Sequence, residues 1–520
     1  MFNLNSLKMK KYITLFLLGL TVTTIQSQDI TDAIRFSQDN LNGTARFRAM
    51  SGAFGALGGD FSSLNVNPAG SAIFSNNQVA LTFNNYGIKN KANYFGTSAN
   101  ENSSSFDLNQ VGGVYVFKNE DKKSDWKKFS IALNYENTTN FDNSIFSAGT
   151  NTSHSIDRYF LHYANQNGGI SLTNVQLQAG ENITDLYDYL GSNFGYGDQQ
   201  AFLGYQGFII NPATEYNETT NRNYVSLVPS GGNYYQENFI ETAGYNGKLS
   251  FNAAAQYKDK FFFGVNINSH FVNFRQINSF YEENSNNLLS GVQRLRFDNE
   301  LYTYGTGFSF QAGAIAKVSK EVRFGLAYES PTWYELNDEL KQGLASVSAD
   351  ALGELPTVYV NPRVTNVYAP YQLQTPGKWT GSFAYIYGKT GLLSIDYSIK
   401  DYSNTQFTPK NDFRTANREM ANLLDLSSEI RIGAEYRIKE LSLRAGYRME
   451  QSPYKDGKTI GDLTGFSTGF GYNFGGTKLD LTYSHAQRDS QKQMFSVGLT
   501  DAAKITSKMN SITMTLSFEL

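Results

Sequence analysis

The pattern of hydrophobic and polar residues becomes regular at about residue 78 and stays regular to the C-terminus. In the clearest segments an apolar residue occupies every second position, and a polar residue or glycine mostly fills the others. This period of two predicts β-strands that have one apolar and one polar face. Many of the segments approach the length of about 9–11 residues that a tilted strand needs to cross a bilayer.

Six segments show the alternation clearly and eight show it more weakly. The clear segments are 322–328, 393–400, 430–438, 441–449, 478–484 and 510–520. The weaker segments are 79–86, 111–117, 129–136, 249–257, 261–274, 302–318, 379–387 and 466–474. An even number of strands is typical of a bacterial barrel with both termini on one side. The sequence therefore predicts an all-β fold, a transmembrane antiparallel β-barrel of about 14 strands.

The connections between these segments alternate between short and long. Short connections lie at 118–128, 258–260, 319–321, 388–391, 439–440 and 475–477. Long polar connections lie at 87–110, 137–248, 277–301, 330–378, 401–429, 451–465 and 487–509. Tight periplasmic turns and long outer loops produce this asymmetry in transmembrane barrels. Soluble sandwiches and propellers have no reason to sort their loops in this way.

The connection 137–248 is too long for a bare loop in a compact domain. Its segment 183–190 is expected to form a short helix, and 202–210 is its one strongly apolar part. Two interpretations stay open: a folded lid that packs on itself, or an apolar landing site for a ligand at the outer surface. The candidate residues for ligand capture are Phe202, Leu203, Tyr205, Phe208, Ile209 and Ile210.

The N-terminus has the features of a secretory signal peptide. Lys8, Lys10 and Lys11 precede a short apolar run over residues 12–22, and the chain turns polar just before Gln28. A membrane anchor would need about 20 apolar residues, more than this run supplies. We therefore expect residues 1–27 to be cleaved and the chain to be exported to the periplasm.

The stretch 43–74 differs from everything that follows it. It is rich in Gly, Ala and Ser, and it ends on the sequence Asn67-Pro68-Ala69-Gly70. We interpret residues 28–77 as a hatch that plugs the lumen, and residues 78–520 as the barrel with long extracellular loops. Flexibility of the hatch is assigned to Gly52, Gly55, Gly58 and Gly59, because glycine has the greatest backbone freedom.

The composition gives no support for an enzyme. Cysteine is absent, which excludes disulfides, thiolate metal sites and a thiol nucleophile, and a net charge of −3 gives no reason to expect nucleic acid. His270 follows Ser269 and His485 follows Ser484, but neighbours on a strand point to opposite faces. No metal-binding motif or phosphate-binding loop is present. We expect no catalytic site, no metal and no cofactor.

Charged residues of the strands fall on the polar face and should point into the lumen, because a cation facing lipid costs about 2–4 kcal/mol near the midplane. They are Arg323, Asp396, Lys400, Arg431, Glu435, Arg437, Arg444, Arg448 and Asp480. Most are expected to pair across strands, whereas a minority of the arginines would be able to receive the carboxylate of a ligand.

The hatch followed directly by about fourteen strands resembles the FadL/TodX family of outer-membrane transporters. Asn67, Pro68 and Ala69 match the family's Asn-Pro-Ala motif. The resemblance implies a hatch inside the lumen and diffusion of long-chain fatty acids or other hydrophobic compounds through the barrel. It also implies a kinked third strand with a side gap, yet segment 129–136 contains no Gly or Pro to mark a kink.

The expected function is an outer-membrane channel for passive uptake of hydrophobic compounds, gated by the hatch. The alternatives are an assembly barrel that binds a protein partner in a secretion or adhesion complex, and a porin for polar solutes. We expect a monomer whose partners are a hydrophobic ligand and outer-membrane lipid. The alternating C-terminal strand, which ends on Phe518 and Leu520, is of the kind that barrel-assembly machinery reads.

Overall fold

A computed structural model describes residues 28–121 and 123–520, so the predicted signal peptide lies outside the described residues. The described residues form an antiparallel barrel of fourteen strands, as the alternation predicts. The first seven are β1 (Gln78–Tyr94), β2 (Thr97–Lys118), β3 (Trp126–Asn140), β4 (Tyr234–Tyr257), β5 (Phe261–Asn284), β6 (Gly291–Lys317) and β7 (Val322–Glu329). The other seven are β8 (Lys378–Tyr387), β9 (Gly391–Asp401), β10 (Leu426–Ile438), β11 (Leu441–Glu450), β12 (Ile460–Asn473), β13 (Thr477–Gln493) and β14 (Ala502–Glu519).

The barrel is closed by its first and last strands. β1 pairs with β14 from Gln78↔Glu519 to Asn93↔Lys504, so the sheet has no free edge at this seam. In the lower parts of the strands, inward side chains are mostly buried and outward ones are exposed and largely apolar, including Ile131, Phe263 and Leu443. An apolar outer face of this kind meets hydrocarbon.

Several strands run further than predicted, and two predicted loops are wrong. Residues 87–110 form the upper part of a β1–β2 hairpin, which turns at Phe95-Gly96. Residues 277–301 form the upper ends of β5 and β6 and the short turn between them, and the two strands pair from Phe261 to Glu283. These parts carry many polar residues on both faces, so the alternation that marks a lipid-facing strand is absent from them.

The extracellular region contains further strands and one helix outside the lid. The strands span Asn143–Asn151, Trp333–Asp350, Gly353–Glu354, Val358–Val360, Asn366–Val367, Tyr371–Gln374 and Gln406–Thr408. The longest of them, Trp333–Asp350, pairs with the upper half of β6.

The connection 137–248 contains a folded lid, in agreement with the first of its two interpretations. Its helices are α3 (Asp157–Asn165), α4 (Leu172–Val175), α5 (Ile183–Asn193) and α6 (Tyr196–Gln206), and its short strands are Ile210–Pro212 and Tyr224–Ser226. The helix expected over 183–190 is thus confirmed as α5. A further helix, α7 (Arg414–Leu423), lies in the β9–β10 connection, and 3₁₀ helices span Gln166–Gly168 and Tyr402–Asn404.

The hatch segment lies inside the barrel. It contains two helices that precede the fourteen strands, Ile30–Ser37 and Ala45–Ala49, and 3₁₀ helices at Ser62–Asn65 and Pro68–Ile73. We label the first two αN1 and αN2. The Asp29 carboxylate caps αN1, and the Thr44 hydroxyl accepts a 3.2 Å hydrogen bond from the Phe47 amide at the start of αN2. None of the described helices is long and apolar enough to cross a membrane.

Candidate functional site

The Asn67-Pro68-Ala69 motif attaches the hatch to the barrel wall. Asn67 Nδ2 donates to the main-chain oxygens of Gly55 at 2.8 Å and Ala314 at 3.0 Å. Its Oδ1 accepts a hydrogen bond from the Ala69 amide, which caps the 3₁₀ helix that begins at Pro68. One buried amide therefore joins two parts of the hatch to β6.

Two glycines of the wall make room for this motif. Gly264 on β5 and Gly313 on β6 are directly opposite each other in the ladder. A Cβ atom at Gly264 would overlap the Pro68 main chain, and one at Gly313 would overlap the Asn67 side-chain oxygen. The close approach of hatch to wall at this point therefore requires glycine in both strands.

Charged wall residues bind the hatch as well as one another. The Asp396 carboxylate accepts hydrogen bonds from the amides of Phe54 at 2.9 Å and Gly55 at 3.0 Å. Arg46 of αN2 forms an ion pair with Glu435 at 3.0 Å. The lumen-facing charges are therefore shared between cross-strand pairs and attachments of the hatch.

Among the described residues, the predicted pairing across strands is present at Arg444, whereas Arg431 and Arg437 pair with carboxylates of their own strand. Arg431 binds Glu429 at 2.7 Å, and Arg444 binds both Glu435 and Asp480, at 2.6 and 2.5 Å. Arg437 joins the same group through Glu435 at 2.6 Å.

Lysines bind the hatch just after αN1. The Asp39 carboxylate lies 2.8 Å from Lys378 Nζ on β8 and 3.1 Å from Lys400 Nζ on β9. Burial alone would raise the pKa of Asp39, but the two ammonium groups outweigh it and hold that pKa well below its ordinary value. Asp39 is therefore an ionised bridge at neutral pH.

The four hatch glycines occupy tight positions. Gly52, Gly58 and Gly59 have positive φ angles of 81°, 63° and 67°, which L-residues with side chains rarely adopt. Gly55 has an ordinary φ, but a Cβ there would overlap the Ser382 hydroxyl on β8. Their role in hatch movement stays a prediction.

The third strand is interrupted, although 129–136 contains no Gly or Pro. The β2–β3 ladder runs from Lys118↔Lys128 to Gln110↔Glu136 and stops there. Above it, a register shift occurs between Asn137 and Thr139, and the chain resumes as the strand Asn143–Asn151, which pairs with β4. On the other side, the upper part of β2 pairs with β1. Within the described ladders, β2 and β3 are therefore separated above Gln110, and we call this interruption the β2–β3 gap.

The irregular backbone at the gap is supported from the neighbouring strand β4. Gly244 has φ of +116°, and its carbonyl accepts a 2.9 Å hydrogen bond from the Phe141 amide. The Gly244 amide in turn donates to the Asp142 carboxylate at 3.1 Å. The glycine that permits the interruption thus lies on β4 and not on β3.

Side chains bridge the gap where main-chain bonds are missing. The Asp107 carboxylate on β2 accepts hydrogen bonds from Asn137 Nδ2 at 3.0 Å and Asn140 Nδ2 at 3.2 Å. From inside the lumen, Asn42 Nδ2 donates to the Thr138 carbonyl at 2.5 Å, and the Gly43 amide donates to Asn109 Oδ1 at 2.7 Å. The hatch therefore lines the inner side of the gap.

Helix αN1 lies between two cavities of different character. A cavity of about 650 Å³, which we call the vestibule, lies beside its N-terminal end and is lined partly by Leu301, Leu340 and Phe495. A smaller polar cavity of about 100 Å³ is lined by residues 36–40 on one side and by Thr138 and Thr139 of the gap on the other. A path from vestibule to gap therefore passes αN1.

Aromatic packing connects αN1 directly to the gap. Phe36 of αN1 packs edge-to-face on Phe141, with ring centroids 5.9 Å apart, and both rings contact Phe274 of β5. A displacement of αN1 would consequently remove a packing partner from the interrupted strand.

The model of the family described as "Outer membrane protein transport protein (OMPP1/FadL/TodX)" matches residues 209–519, more than half of the chain. This chain belongs to that family. The expected resemblance to the FadL/TodX family is confirmed, and the chain is an outer-membrane transport protein and not an enzyme. The matched residues do not include Asn67, Pro68 and Ala69, so their assignment to the family's motif stays a prediction.

Solved structures of two proteins are similar to this chain at low sequence identity, and the first of them shares its fold. A Pseudomonas aeruginosa FadL homologue has a TM-score of 0.53 at 12% identity, over 93% of this chain and 99% of that one. The P. putida toluene transporter TodX has a TM-score of 0.49 at 14% identity, over 92% of this chain and 99% of that one. No curated protein matches the sequence.

The structure of this FadL/TodX protein buries most of the candidate capture residues. Phe202, Leu203, Ile209 and Ile210 are 0% exposed and form part of the lid core. Phe208, in contrast, is 56% exposed. Tyr205 is partly buried against the same core. A role of these residues in capture stays a prediction, and the residues that reach the surface are Phe208 and, in part, Tyr205.

The serine and histidine neighbours do not form catalytic pairs. His270 Nε2 lies 2.9 Å from the Ser309 hydroxyl on β6, and its Nδ1 faces the Tyr334 hydroxyl at 3.4 Å. His485 Nδ1 faces Asn510 Oδ1 at 2.9 Å. No carboxylate orients either imidazole among the described residues, and His270 acts as a polar link between strands.

Proposed function

We propose that this outer-membrane protein takes up hydrophobic compounds, such as long-chain fatty acids, by passive diffusion, and that the hatch gates the passage. The observation that carries the proposal is the position of αN1, which separates the vestibule beneath the lid from the polar cavity beside the β2–β3 gap. The steps are capture at the outer surface, entry into the vestibule, displacement of αN1 and exit.

The vestibule suits an apolar solute with a polar end. Its volume of about 650 Å³ lies within the range of about 300–1,000 Å³ that is common for small-molecule pockets. Leu301, Leu340 and Phe495 supply apolar surface, while Asp29 and Lys492 lie at the same cavity. A solute that fills this space presses against the N-terminal end of αN1.

Exit through the gap avoids water. Transfer of apolar surface from water into an apolar medium is favourable by about 25 cal/mol per Å², so a hydrophobic solute gains by leaving sideways into the bilayer. The gap is bridged by side-chain hydrogen bonds of Asp107, Asn137 and Asn140, each with a typical net contribution of about 0.5–1.5 kcal/mol. Such bonds are easier to open than a continuous main-chain ladder.

Hatch movement supplies the gate in this proposal. The segment 28–42 is attached through Asp39 and through Asn40 and Asn42 at the gap, whereas the Asn67 region is fixed to β6. The glycine turns between them, at Gly52, Gly58 and Gly59, would allow the first segment to move while the second stays in place.

The two alternative functions have less support. A porin for polar solutes needs an open aqueous lumen, but residues of the hatch such as Phe54 and Leu64 are 0% exposed and fill the middle of the barrel. An assembly role would require a protein partner, and it would be favoured by a stoichiometric partner in the purified protein.

Uptake of labelled palmitate tests the proposal. Cells that lack their own fatty-acid channel and express this chain should accumulate palmitate faster than cells with an empty vector. Mass spectrometry of lipid extracted from the purified barrel should reveal a bound hydrophobic compound. Equal uptake in both strains, together with no bound compound, would contradict the proposal.

A further inference from the structure

Two arginines in the lumen differ from those that pair with carboxylates. Arg48 of αN2 and Arg448 of β11 are 3% and 7% exposed, and both line a cavity of about 50 Å³ between the hatch and the wall. Among the described residues, neither guanidinium forms an ion pair within 4.0 Å, whereas Arg46, Arg431 and Arg444 all do.

The hydrogen bonds of Arg48 are incomplete. Its Nη2 donates to the Ser511 hydroxyl, and more weakly to the Ser484 hydroxyl at 3.4 Å. Its Nε and Nη1 are buried and have no partner. Burial first, and then the positive charge of Arg448, lower the pKa of Arg48 to about 10, so it stays protonated at neutral pH.

The two carboxylates whose negative charge reaches Arg448 already form ion pairs with other arginines. Glu429 pairs with Arg431 at 2.7 Å, and Glu450 pairs with Arg488 at 3.0 Å. Asp107, which acts on Arg48, accepts hydrogen bonds from Asn137 and Asn140. An unpaired buried charge is costly, and an anion placed between the two guanidinium groups would offset that cost.

We infer that the cavity between Arg48 and Arg448 is a carboxylate-binding site. A carboxylate is a strong acceptor for guanidinium donors, and Arg48 has unused N–H groups on both Nε and Nη1. Apolar neighbours Leu41 and Met509 line the same cavity and suit the first carbons of an alkyl chain. The cavity is large enough for a carboxylate head group and its adjoining carbons, but not for a whole long chain.

The carboxylate has two sources, the head group of an amphiphile in transit or a small free organic acid. Only the first source rests on the proposed function. The site would then distinguish acids from neutral hydrocarbons of the same size, because a neutral solute leaves the two arginines unpaired.

Equilibrium dialysis of the full chain in nanodiscs at pH 7.5 tests the inference, with radiolabelled octanoate as the probe. Octanoate should bind at one saturable site, and Arg48→Gln and Arg448→Gln should each weaken it by about tenfold or more. Arg418→Gln, which removes the same charge from the exposed extracellular helix α7, should leave octanoate binding unchanged. Arginine-independent octanoate binding, or no binding, would overturn the inference.

Competition with acetate separates the two sources. Displacement of octanoate by acetate at similar concentrations would support a site for small free acids, and displacement only at much higher concentrations would support an amphiphile.

Thermal unfolding of the unmodified protein gives a readout that needs no variant: acetate or octanoate should raise its Tm, and no rise with either would overturn the inference. Normal uptake of a neutral hydrocarbon alongside arginine-independent octanoate binding would overturn this inference and leave the proposed function standing. If cells that express the protein take up no hydrophobic compound while octanoate binding depends on the two arginines, the proposed function is wrong and this inference stands.

Discussion

Asn67 Nδ2 lies 3.0 Å from the main-chain oxygen of Ala314, and the same nitrogen lies 2.8 Å from the oxygen of Gly55. One side chain thereby joins the glycine-rich turn of the hatch to strand β6. The space for this contact exists because Gly313, next to Ala314, has no side chain.

Replacement of Asn67 by alanine should loosen the hatch. Asn67→Ala leaves the buried Gly55 carbonyl without its Asn67 donor, at a cost of about 1–3 kcal/mol, and removes one hydrogen bond from the part-buried Ala314 carbonyl. Gly313→Ala should have a similar effect, because its Cβ would displace the Asn67 side chain. We expect a lower Tm and more frequent ion-conducting events in planar bilayers. Asn102→Ala, on the exposed β1–β2 hairpin, is the matched control, and conductance like that of the control would contradict this assignment.

A disulfide across the β2–β3 gap should block exit. Ser105 Oγ and Asn140 Nδ2 are 2.9 Å apart on the two sides of the gap, so Ser105→Cys with Asn140→Cys introduces a covalent bridge into a chain without cysteine. Palmitate uptake should fall under oxidising conditions and recover on reduction. The control is the pair Asn93→Cys and Ser98→Cys, which crosses the β1–β2 hairpin instead. If both disulfides leave uptake unchanged, exit does not occur through the gap.

Acid should release the segment 28–42 of the hatch. The pKa of Asp39 is held well below its ordinary value, so its ion pairs stabilise the docked segment at every pH above about 4. That stabilisation is lost progressively as the pH falls below about 4, toward the pKa of the folded state. Hydrogen exchange of residues 30–42, corrected for intrinsic rates, should increase at low pH. Asp39→Asn should show fast exchange already at pH 7, in contrast to Asp125→Asn in an exposed periplasmic turn.

Alanine substitutions of two lid phenylalanines should have different effects, one on the stability of the lid and the other on capture of the ligand. Phe202→Ala removes a fully buried ring from the lid core and should destabilise the lid by about 3–5 kcal/mol. Phe208→Ala changes an exposed side chain, so its effect on stability should stay within about 0.5 kcal/mol while palmitate uptake slows. Hydrogen exchange of α6 measures the first effect. Unchanged uptake in Phe208→Ala would exclude this residue from capture.

The membrane-crossing strands were predictable because lipid imposes an apolar residue at every second position. The strand extensions were not, since the β1–β2 hairpin from Gly87 to Gln110 carries polar residues on both faces. The interruption of β3 escaped prediction for a different reason. Its enabling residue is Gly244 on β4, so inspection of β3 alone gives no signal.

The hatch was recognisable from its small residues and the Asn67-Pro68-Ala69 motif, but its contacts were not. Arg48 and Arg46 are two positions apart and look alike in the sequence, yet Arg46 pairs with Glu435 and Arg48 has no acidic partner within 4.0 Å among the described residues. Which arginine is left for a ligand depends on how the strands are placed around the hatch. Only the three-dimensional arrangement supplies that information.

Covalent attachment of the hatch to the wall tests the gating claim most directly. Ser51 Oγ and Ser467 Oγ are 2.8 Å apart beside the turn at Gly52, and Asn40 Nδ2 and Thr139 Oγ1 are 3.4 Å apart at the gap. Cysteine pairs at these two places should each abolish palmitate uptake when oxidised and restore it when reduced, while the Asn93–Ser98 pair should have no effect. Palmitate uptake that continues unchanged with both hatch disulfides formed would contradict hatch gating.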